Sequence, residues 1–519
     1  MNDFASAFPV LRVGRWLKWT RKAPRASALA AMAHSASGGW QMPVYLIVAL
    51  YLLLSNLPLL LSARGLEASP HGFVNLDYLL IGAVGLFLPR SAVFFLLCLE
   101  SLAALADSIC TTYLFSMGEL LSSLRYLPLL PGGRVLEGVA VLTAGVLICA
   151  ALALIRPRQE KRFQLMCALL GCMAISTAID VVDGQNLLWR KDVMLSSCRL
   201  AHSPVFTLFA REAHAYRTDA ASHDGDNAPM RSASSRAISF LGDRREGAEA
   251  PNVVLIVVES WGMPLNAHLA KALTAPYDDP RLGRKYEITY GSVPFTGHTV
   301  PGEARELCHS TIGFGILHVS AELVNQCLPE WFHARGYENL GIHGYLGQMF
   351  YRSDWYPKLG FDRVWFNPEL RAMGLPNCRG AFPGTCDASI AGWIGGSLLV
   401  EDRAKPKFIY WVTLNSHLPV PANPDLPADG ACSTQPELQD SAALCSWFRL
   451  VRTVHQSVAQ QALGATGRPT IFLLVGDHAP PFGSPKLQAE FSSSEVPYVM
   501  LTPAELPRRE CGGQACGSN

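Results

Sequence analysis

The sequence has few charged residues for its length. Only 16% of the 519 residues are Asp, Glu, Lys or Arg, and 43 basic side chains almost balance 42 acidic ones, which leaves a net charge of +1. Soluble domains average about 25% charged residues, so the composition argues against a purely cytosolic enzyme. A net charge this small also gives no bulk electrostatic reason to expect nucleic acid as a partner.

The sequence also lacks internal repeats, long low-complexity segments and any Cys-x-x-Cys pair. Half of the residues are hydrophobic, which excludes disorder for most of the chain. At this length we expect more than one folding unit. The distribution of the apolar residues then decides which kind of protein this is.

Long apolar runs are concentrated in the first 182 residues, which we interpret as a cytoplasmic segment at 1–42 and a transmembrane domain at 43–182. About 20 apolar residues of helix cross a bilayer core. We predict five such spans, at 43–61, 73–88, 91–106, 135–155 and 163–182. The second and third are short and only Pro89 and Arg90 separate them, which is typical either of a tight helical hairpin or of a pair of spans divided at the wrong place.

Basic residues give these spans an orientation. Short cytoplasmic segments collect Lys and Arg, and here six lie within 12–25 and four within 156–162, whereas the loops at 62–72 and 107–134 hold fewer. We therefore expect residues 1–42 to be a retained cytoplasmic anchor without an evident cleavage site. After an odd number of spans, everything beyond residue 183 is expected on the outer face of the membrane.

Eight cysteines after residue 300 lie as near neighbours along the chain: Cys308 with Cys327, Cys378 with Cys386, Cys432 with Cys445, and Cys511 with Cys516. An even number in closely spaced pairs favours disulfides and so an oxidising compartment. A zinc site and unrelated thiols are the alternatives, and spacing alone does not fix the connectivity.

The rest of the chain divides into a polar linker with juxtamembrane helices at 183–250, an α/β domain at 251–505 and a tail at 506–519. Within 251–505, continuous apolar runs at 253–258, 407–412 and 470–475, and a weaker one at 338–342, alternate with helical patterns. Such runs are typical of strands buried on both faces of a parallel sheet. The predicted fold is therefore a multi-pass α-helical membrane domain followed by an α/β domain with a mostly parallel central sheet.

Each of these strand-like runs ends in a polar cluster. The clusters are Glu259-Ser260, His343-Gly344, Asn415-Ser416-His417 and Gly476-Asp477-His478. Because the carboxyl ends of parallel strands form the ligand crevice of an open sheet, we expect the clusters to converge. Glu259, Asp477 and His478 would together make a ligand set for Zn²⁺ or Mn²⁺.

The segment 291–305 offers a hydroxyl nucleophile. Thr299 stands where a helix can begin, because Pro301 is tolerated in a first turn and 303–316 can continue as a helix. Backbone N–H groups at a helix start suit phosphate, and a bound divalent cation would lower the pKa of the hydroxyl. Ser292 and Thr296 are the competing hydroxyls, and a Thr299 that only caps the helix is the other interpretation.

Taken in order, these residues resemble a known family. The motifs are strand-Glu259-Ser, Gly297-His-Thr299 opening a helix, Phe350-Tyr-Arg352-Ser-Asp-Trp-Tyr-Pro, Leu414-Asn-Ser-His417-Leu-Pro, Gly476-Asp477-His478 and a later strand at 496–500. They are similar to the lipoteichoic acid synthase and phosphoglycerol transferase group of the alkaline phosphatase/sulfatase superfamily. Those proteins also have five amino-terminal spans before an extracytoplasmic catalytic domain.

The resemblance implies an alkaline-phosphatase-like domain on the periplasmic side of a bacterial inner membrane. It implies one divalent metal ion, Mn²⁺ or Zn²⁺, held by residues matching Glu259, Thr299, Asp477 and His478, with Arg352, His343 and His417 around the phosphate. Thr299 would attack a membrane phospholipid, diacylglycerol would leave, and the phosphothreonine would pass its head group to a glycan. Envelope polysaccharide synthesis machinery is the partner that this activity suggests.

Two of the residues that surround the phosphate have chemistry suited to the implied roles. A planar guanidinium such as that of Arg352 can hold two phosphate oxygens at once. His417 could protonate the leaving alcohol and then deprotonate the acceptor. Trp355 and Tyr356, by contrast, are expected to be packing residues rather than platforms for the substrate.

Several observations keep other functions open. The sulfatase nucleophile pattern has Arg where this chain has Glu303, and a threonine cannot become formylglycine, so sulfate ester hydrolysis is disfavoured. Ethanolamine phosphate transferases share the superfamily and are also disulfide-rich, so phosphoglycerol and phosphoethanolamine both remain possible head groups. A phosphodiesterase with water as acceptor, and a non-catalytic transporter or scaffold suggested by Glu100 inside the third span, are the alternatives.

Overall fold

The computed structural model describes residues 42–57, 72–113, 116–155, 157–182, 200–222, 230–242, 249–311, 316–317, 319–400, 405–421, 424, 426, 430–465 and 467–506. Most of the predicted cytoplasmic segment, part of the linker, the tail and the Cys511 and Cys516 pair lie outside the described residues.

Apolar helices make up the described part of the first 182 residues. They are Val44–Leu54, Leu76–Val84, Arg90–Tyr113, Met117–Ser123, Gly132–Leu154 and Arg162–Val182. Among the described residues, three helices are long and apolar enough to cross a membrane: Arg90–Thr112, Gly132–Leu154 and Gln159–Val182. These coincide with the third, fourth and fifth predicted spans.

The first two predicted spans differ from this pattern. The second contains a helix of only nine residues, Leu76–Val84, and the first has eleven described helical residues, Val44–Leu54, with positions 58–61 outside the described part. The third was expected to be a short hairpin arm but is a 24-residue helix, Arg90–Tyr113. The total of five spans therefore stays a prediction.

The apolar helices pack around a shared core that also buries polar groups. Tyr78, Leu97 and Leu169 are among its fully buried members. Glu100, which the sequence marked as a costly group inside an apolar run, is buried and accepts a hydrogen bond from Asn75 Nδ2 at 3.0 Å. The side chain of Glu100 therefore has a partner within the helix bundle.

The carboxy-terminal domain, residues 251–506, is built on a seven-stranded sheet. Its strands are β1 Asn252–Val258, β2 Tyr286–Pro294, β3 Glu338–His343, β4 Arg363–Trp365, β5 Lys407–Val412, β6 Thr470–Gly476 and β7 Glu495–Pro503, in the spatial order β2-β7-β6-β1-β5-β3-β4. From β6 to β4 all neighbours are parallel, whereas β7 is antiparallel to both β6 and β2. This confirms the predicted fold class.

The four predicted strands form one contiguous parallel block, β6-β1-β5-β3. Every residue of β1, β5 and β6 is buried. In β1, Val254, Ile256 and Val258 enter the core on one face of the sheet, and the alternate residues enter the core on the other. Two covered faces explain why these strands are apolar at every position rather than alternating.

Helices cover both faces of the sheet and link its strands. After the apolar helices the remaining ones are Pro204–Ser222, Ser234–Gly242, Ala267–Thr274, Pro280–Lys285, Thr299–Cys308, Ala321–Val324, Leu328–His333, Arg352–Leu359, Asn367–Ala372, Asp387–Trp393, Ala431–Thr434, Pro436–Gln439, Ala442–Gly464 and Pro485–Gln488. Short helical turns of other types occur at Leu124–Leu129, Gln159–Lys161, Ala275–Asp278, Met349–Tyr351 and Ile394–Leu398. Two small strand pairs join Val74–Asn75 to Ala201–His202 and Asn377–Cys378 to Gly384–Thr385.

Within the described residues, disulfides join the predicted pairs Cys308–Cys327, Cys378–Cys386 and Cys432–Cys445. The disulfide prediction is thereby confirmed for these pairs. The predicted extent of the helix after Thr299 is wrong, because the helix ends at Cys308 instead of 316. His309 has left-handed backbone angles (φ 52°), which end the helix.

Candidate active site and metal centre

The polar ends of β1 and β6 lie side by side at one edge of the sheet. These strands are adjacent and parallel, with Val258 opposite Gly476, so the residues that follow them, Glu259 and Asp477, leave the sheet at the same level. The register of two parallel strands therefore brings together two acids that are more than 200 residues apart in the sequence.

Glu259, Asp477 and His478 form a compact buried cluster. Each contributes one potential ligand atom, and these atoms all lie within 4.8 Å of one another. His478 Nε2 is 3.5 Å from Glu259 Oε1 and 3.4 Å from Asp477 Oδ2. Two carboxylate oxygens and one imidazole nitrogen are a donor set that Zn²⁺ and Mn²⁺ both accept.

The hydrogen bonds around the cluster orient its ligand atoms. Asp477 Oδ1 accepts from the backbone N–H groups of Ser260 and His478, both at 2.7 Å, while the buried Oδ2 has no hydrogen-bond partner among the described residues. His478 Nδ1 lies 2.8 Å from the carbonyl of Ala479 and so carries a hydrogen, which leaves Nε2 as the nitrogen that faces the carboxylates and that would bind a cation after losing its own proton. The residues present therefore fit a divalent cation.

The electrostatics of the cluster favour a cation as well. Burial and the nearby Glu259 raise the pKa of Asp477 to about 7. Burial lowers the pKa of His478, but the two carboxylates outweigh it and raise the value to about 9. Burial alone would raise the pKa of Glu259, yet His417 and His478 lower it overall. Buried acids side by side need positive charge, which a proton or a metal ion supplies.

Thr299 contacts this cluster through its hydroxyl group. It is the first residue of the helix Thr299–Cys308, and its Oγ1 donates to Glu259 Oε2 at 3.0 Å. Gly302 lets the helix approach so closely, since a Cβ there would lie 2.9 Å from the Cβ of Asp477. Of the competing hydroxyls, Ser292 donates to Glu495 at 2.8 Å, and Thr296 is exposed.

A cavity of about 320 Å³ opens beside Thr299. The predicted phosphate-side residues Arg352, His343 and His417 all line it, together with Glu259 and Thr299. The structure therefore brings every predicted site residue to this cavity or to the adjoining Asp477 and His478 pair.

The two cavity histidines are both held in the neutral form. Burial lowers the pKa of His343 to about 3 and also lowers the pKa of His417. His343 Nδ1 lies 3.1 Å from the carbonyl of Val412, and His417 Nδ1 lies 2.6 Å from that of Leu418. In each ring Nδ1 carries the hydrogen, so Nε2 is the nitrogen that can accept a proton.

Arg352 is held by a residue that the sequence analysis did not assign to the site, Glu303. Arg352 Nε and Nη2 donate to Glu303 Oε1 at 3.0 and 2.5 Å. Burial alone would lower the pKa of Arg352, but the pairing with Glu303 outweighs burial and raises the pKa. Glu303 Oε2 accepts from the hydroxyls of Tyr356 and Tyr410 at 2.8 and 3.3 Å. The spacing was the available signal, because Glu303 lies one helical turn after Thr299 and shares its face.

Ser260, which the sequence places in the polar cluster after the first strand but to which it assigns no role, also contacts Glu259. Its Oγ donates to Glu259 Oε1 at 2.8 Å, and its backbone has a positive φ of 55°. The two carboxylate oxygens of Glu259 thus receive hydrogen bonds from two different hydroxyls, those of Ser260 and Thr299. These contacts fix the orientation of the carboxylate toward the cluster.

The sequence and the fold can now be compared with known proteins. The sulfatase family matches residues 251–514, about half of the chain, and the protein therefore belongs to the sulfatase family. This confirms the predicted sulfatase/alkaline phosphatase superfamily. No curated protein matches the chain by sequence.

Several solved structures are similar to this one at low identity. Lipoteichoic acid synthase LtaP from Listeria monocytogenes is 14% identical (TM-score 0.37; 53% of this chain and 72% of that chain covered). Phosphoglycerol transferase GacH from Streptococcus pyogenes, in complex with sn-glycerol-1-phosphate, is 14% identical (TM-score 0.35; 55% and 80% covered). The integral membrane protein lipooligosaccharide phosphoethanolamine transferase A (EptA) from Neisseria meningitidis is 15% identical (TM-score 0.40; 81% and 77% covered).

Proposed function

We propose that the protein is a metal-dependent phosphotransferase that moves a phospholipid head group, phosphoglycerol or phosphoethanolamine, onto a cell-envelope glycan through a phosphothreonine intermediate. The observation that carries this proposal is the hydrogen bond of 3.0 Å from Thr299 Oγ1 to Glu259 Oε2. It places a hydroxyl at a helix start, beside a buried ligand cluster and at the end of a cavity.

Glu259, Asp477 and His478, with Thr299, are the residues that would hold one Mn²⁺ or Zn²⁺ ion. When bound, such an ion would lower the pKa of the Thr299 hydroxyl and offset the charge of the phosphate. Glu259 Oε2 accepts the hydrogen of Thr299 at rest, so the carboxylate aims the oxygen and is the first group to which its proton can move.

The cavity side chains supply the other functions that phosphoryl transfer needs. Arg352 lies in the cavity wall, where a fixed guanidinium can bind the phosphate oxygens as the P–O bond to diacylglycerol breaks. His417 and His343 are neutral near pH 7 because burial lowers the pKa of each ring. The proton that Thr299 releases would pass to the diacylglycerol oxygen as that alcohol leaves. Neutral His417 Nε2 would then take the proton of the acceptor hydroxyl and return it to the Thr299 oxygen as the head group moves to the glycan.

The arrangement of the chain supports transfer from a lipid to a glycan at the same membrane. Three apolar helices long enough to span a bilayer precede the carboxy-terminal domain, and the three disulfides suit an oxidising compartment. The proposed location is the periplasmic side of a bacterial inner membrane, where envelope polysaccharide synthesis machinery would present the acceptor.

Mass spectrometry of the full-length protein tests this function directly. The protein is incubated with Mn²⁺ or Zn²⁺ and vesicles of phosphatidylglycerol or phosphatidylethanolamine, then digested. We expect a head-group adduct on the peptide that contains Thr299, with release of diacylglycerol, and the mass of the adduct identifies the donor. Thr299→Ala abolishes the adduct, whereas Ser292→Ala, a matched hydroxyl outside the cavity, retains it.

Two results would change the conclusion. Absence of both adduct and diacylglycerol with either lipid and either metal contradicts the proposal. Diacylglycerol release with a head group that appears only in solution, even when glycan acceptors are added, makes the protein a phosphodiesterase that uses water instead of a glycan.

A further inference from the structure

The cavity beside Thr299 has a second wall, which the membrane half of the chain provides. This wall is the segment Met117–Leu130, called here the 117–130 segment, which lies between two of the candidate membrane spans. Its lining residues are apolar or weakly polar: Leu120, Ser123, Leu124, Tyr126, Leu127 and Leu130. The reaction centre and the apolar helices therefore share one cavity.

The 117–130 segment is fixed to the loop that leads into Arg352. Tyr345 donates its hydroxyl to the carbonyl of Leu129 at 2.6 Å, and Arg125 Nη1 donates to the hydroxyl of Tyr351 at 2.8 Å. The ring of Tyr126 meets that of Phe350 edge-on at 5.4 Å between centroids. These contacts place the wall at a defined distance from the phosphate-side residues.

The same contacts support an unusual backbone turn. Phe350 and Tyr351 both have positive φ angles, 53° and 50°, which residues other than glycine seldom adopt. The turn directs the chain into the helix Arg352–Leu359, and both rings contact Tyr126. The position of Arg352 is thus linked to a residue of the membrane half.

The two walls of the cavity differ in chemistry. Around Thr299 the lining carries charge and imidazole groups, whereas on the 117–130 segment Leu124 and Leu127 keep 50% and 49% of their surface exposed. Leucines that remain exposed in a cavity indicate an apolar ligand. A glycan or another polar molecule at this wall would leave them in contact with polar groups.

The cavity is also continuous with the membrane helices. Ile109, on the span Arg90–Thr112, and Arg134, in the first turn of the span Gly132–Leu154, both line it. Its volume of about 320 Å³ is at the small end of the range for ligand pockets. It can hold a phosphate, a glycerol backbone and the first part of the acyl chains, while the rest of the chains stays in the bilayer.

We propose that the 117–130 segment binds the diacylglycerol part of a glycerophospholipid and so makes the enzyme select a donor embedded in the membrane. The phosphodiester then lies at Thr299 and Arg352, and the acyl chains lie against Leu124 and Leu127 and leave toward Ile109. This inference rests on the proposed function, and it assigns substrate selection to residues outside the sulfatase-type domain.

The test compares a lipid donor with a soluble one in full-length protein. The donors are dioleoyl phosphatidylglycerol or phosphatidylethanolamine in nanodiscs and a water-soluble p-nitrophenyl phosphodiester. Leu124→Gln and Leu127→Gln are each expected to lower the ratio of lipid turnover to soluble turnover by roughly tenfold. Leu121→Gln is the matched control, because Leu121 belongs to the same 117–130 segment, is 60% exposed and does not line the cavity.

The outcomes separate this inference from the proposed function. If the ratio of lipid turnover to soluble turnover stays unchanged, either because both fall equally or because neither falls, the inference is overturned. Wild-type protein that turns over the soluble diester but neither lipid also overturns it, while the chemistry at Thr299 stands. Wild-type protein that acts on no donor overturns the proposed function, and the inference falls with it.

Photo-crosslinking gives a binding measurement that needs no turnover. Phosphatidylglycerol or phosphatidylethanolamine with a diazirine on an acyl chain is added to Thr299→Ala protein in nanodiscs. Labels are expected on the 117–130 segment and also on Met349 or Phe382, two cavity residues of the carboxy-terminal domain. Labelling of membrane helices without any label on these cavity residues overturns the proposal.

Discussion

Glu303 and Arg352 form a buried ion pair one helical turn away from the proposed nucleophile, Thr299. One oxygen of Glu303 accepts from Arg352 Nε at 3.0 Å and from Nη2 at 2.5 Å. Glu303 and Thr299 lie on the same helix, one turn apart. A single helix therefore positions both the hydroxyl and, through Glu303, the guanidinium that would bind the phosphate.

Arg352→Lys is predicted to lower kcat/KM for the lipid donor by about a hundredfold. A lysine keeps the charge but lacks the planar fork, so it cannot pair with Glu303 and also offer a second directed donor to the phosphate. Steady-state kinetics on vesicles measure the effect. Arg363→Lys is the control, since Arg363 pairs with Glu338 at 2.8 Å on the edge strand β4. Equal losses in both variants would contradict the role of Arg352.

Glu303→Gln is predicted to act on Arg352 rather than on the chemistry of Thr299. It leaves the buried guanidinium without a counter-charge, which costs about 3 kcal/mol in the free energy of unfolding. It also raises KM more than it lowers kcat, because Glu303 no longer holds Arg352 in the orientation that binds the phosphate. Tyr356→Phe removes one hydrogen bond to the same carboxylate and should cost only about 1 kcal/mol. A kcat loss without a KM change would exclude a positioning role.

Asp477→Asn is predicted to abolish metal binding without disturbing the fold. The amide keeps an oxygen for the two backbone N–H groups that Oδ1 accepts but loses the negative charge. Metal content after dialysis is expected to fall from about one ion per chain to nearly none. Mn²⁺ or Zn²⁺ at a hundredfold excess over its Kd should stabilise only the wild type, by about 2.7 kcal/mol.

Asp387→Asn is the control for the metal experiment. Asp387 is also buried near this edge of the sheet, but its carboxylate accepts from the backbone N–H groups of Leu414 and Asn415 instead of facing the cluster. It should retain the ion. Wild-type metal content in Asp477→Asn would refute the assignment of the ligands.

Three of the strands that the sequence predicted correctly share one physical property. β1, β5 and β6 are buried along their whole length, so their apolar runs have no polar interruptions. β2 was missed because it lies at the edge of the sheet, pairs only with β7 and mixes buried with exposed positions. β4 was missed because it has only three residues, none fully buried.

The site residues also divide into those that the sequence could predict and those that it could not. Glu259, Asp477 and His478 follow buried strands directly, so the sequence itself indicates that they meet. Glu303 and Arg352 are 49 residues apart, and only the packing of two helices against the sheet joins them. The 117–130 segment could not be assigned at all, because its role depends on contacts such as that of Arg125 with Tyr351, 226 residues away.

Removal of the Cys308–Cys327 disulfide is predicted to impair activity as well as stability. The bond anchors the last residue of the helix that carries Thr299 and closes a separation of 19 residues, so Cys308→Ser/Cys327→Ser should lose about 3 kcal/mol. Removal of Cys432–Cys445, with a separation of 13 residues, should cost a similar amount. Thermal unfolding and kcat/KM are measured for both, and only the first variant should lose activity below its unfolding temperature. Equal activity in the two would refute a role in positioning the helix.

His455 is predicted to make stability depend on pH. It is fully buried, its Nδ1 lies 3.0 Å from the hydroxyl of Tyr277, and its ring meets that of Trp261 edge-on at 4.3 Å. Burial lowers the pKa of His455 to about 3 from an ordinary value of 6.5. Below pH 6.5 the unfolded chain therefore binds a proton that the folded protein does not, and stability falls as the pH falls toward 3.

The size of this effect follows from the two pKa values. Between pH 8 and pH 5 one such histidine costs about 2 kcal/mol of folding free energy. The loss of stability that His455→Gln causes should therefore be about 2 kcal/mol smaller at pH 5 than at pH 8, because the variant lacks the titrating group. Unfolding of the full-length protein, followed by tryptophan fluorescence at both pH values, measures this difference. His268→Gln, at an exposed position on the helix Ala267–Thr274, should show no such change, and a pH-independent cost for His455→Gln would show that burial does not keep this histidine neutral.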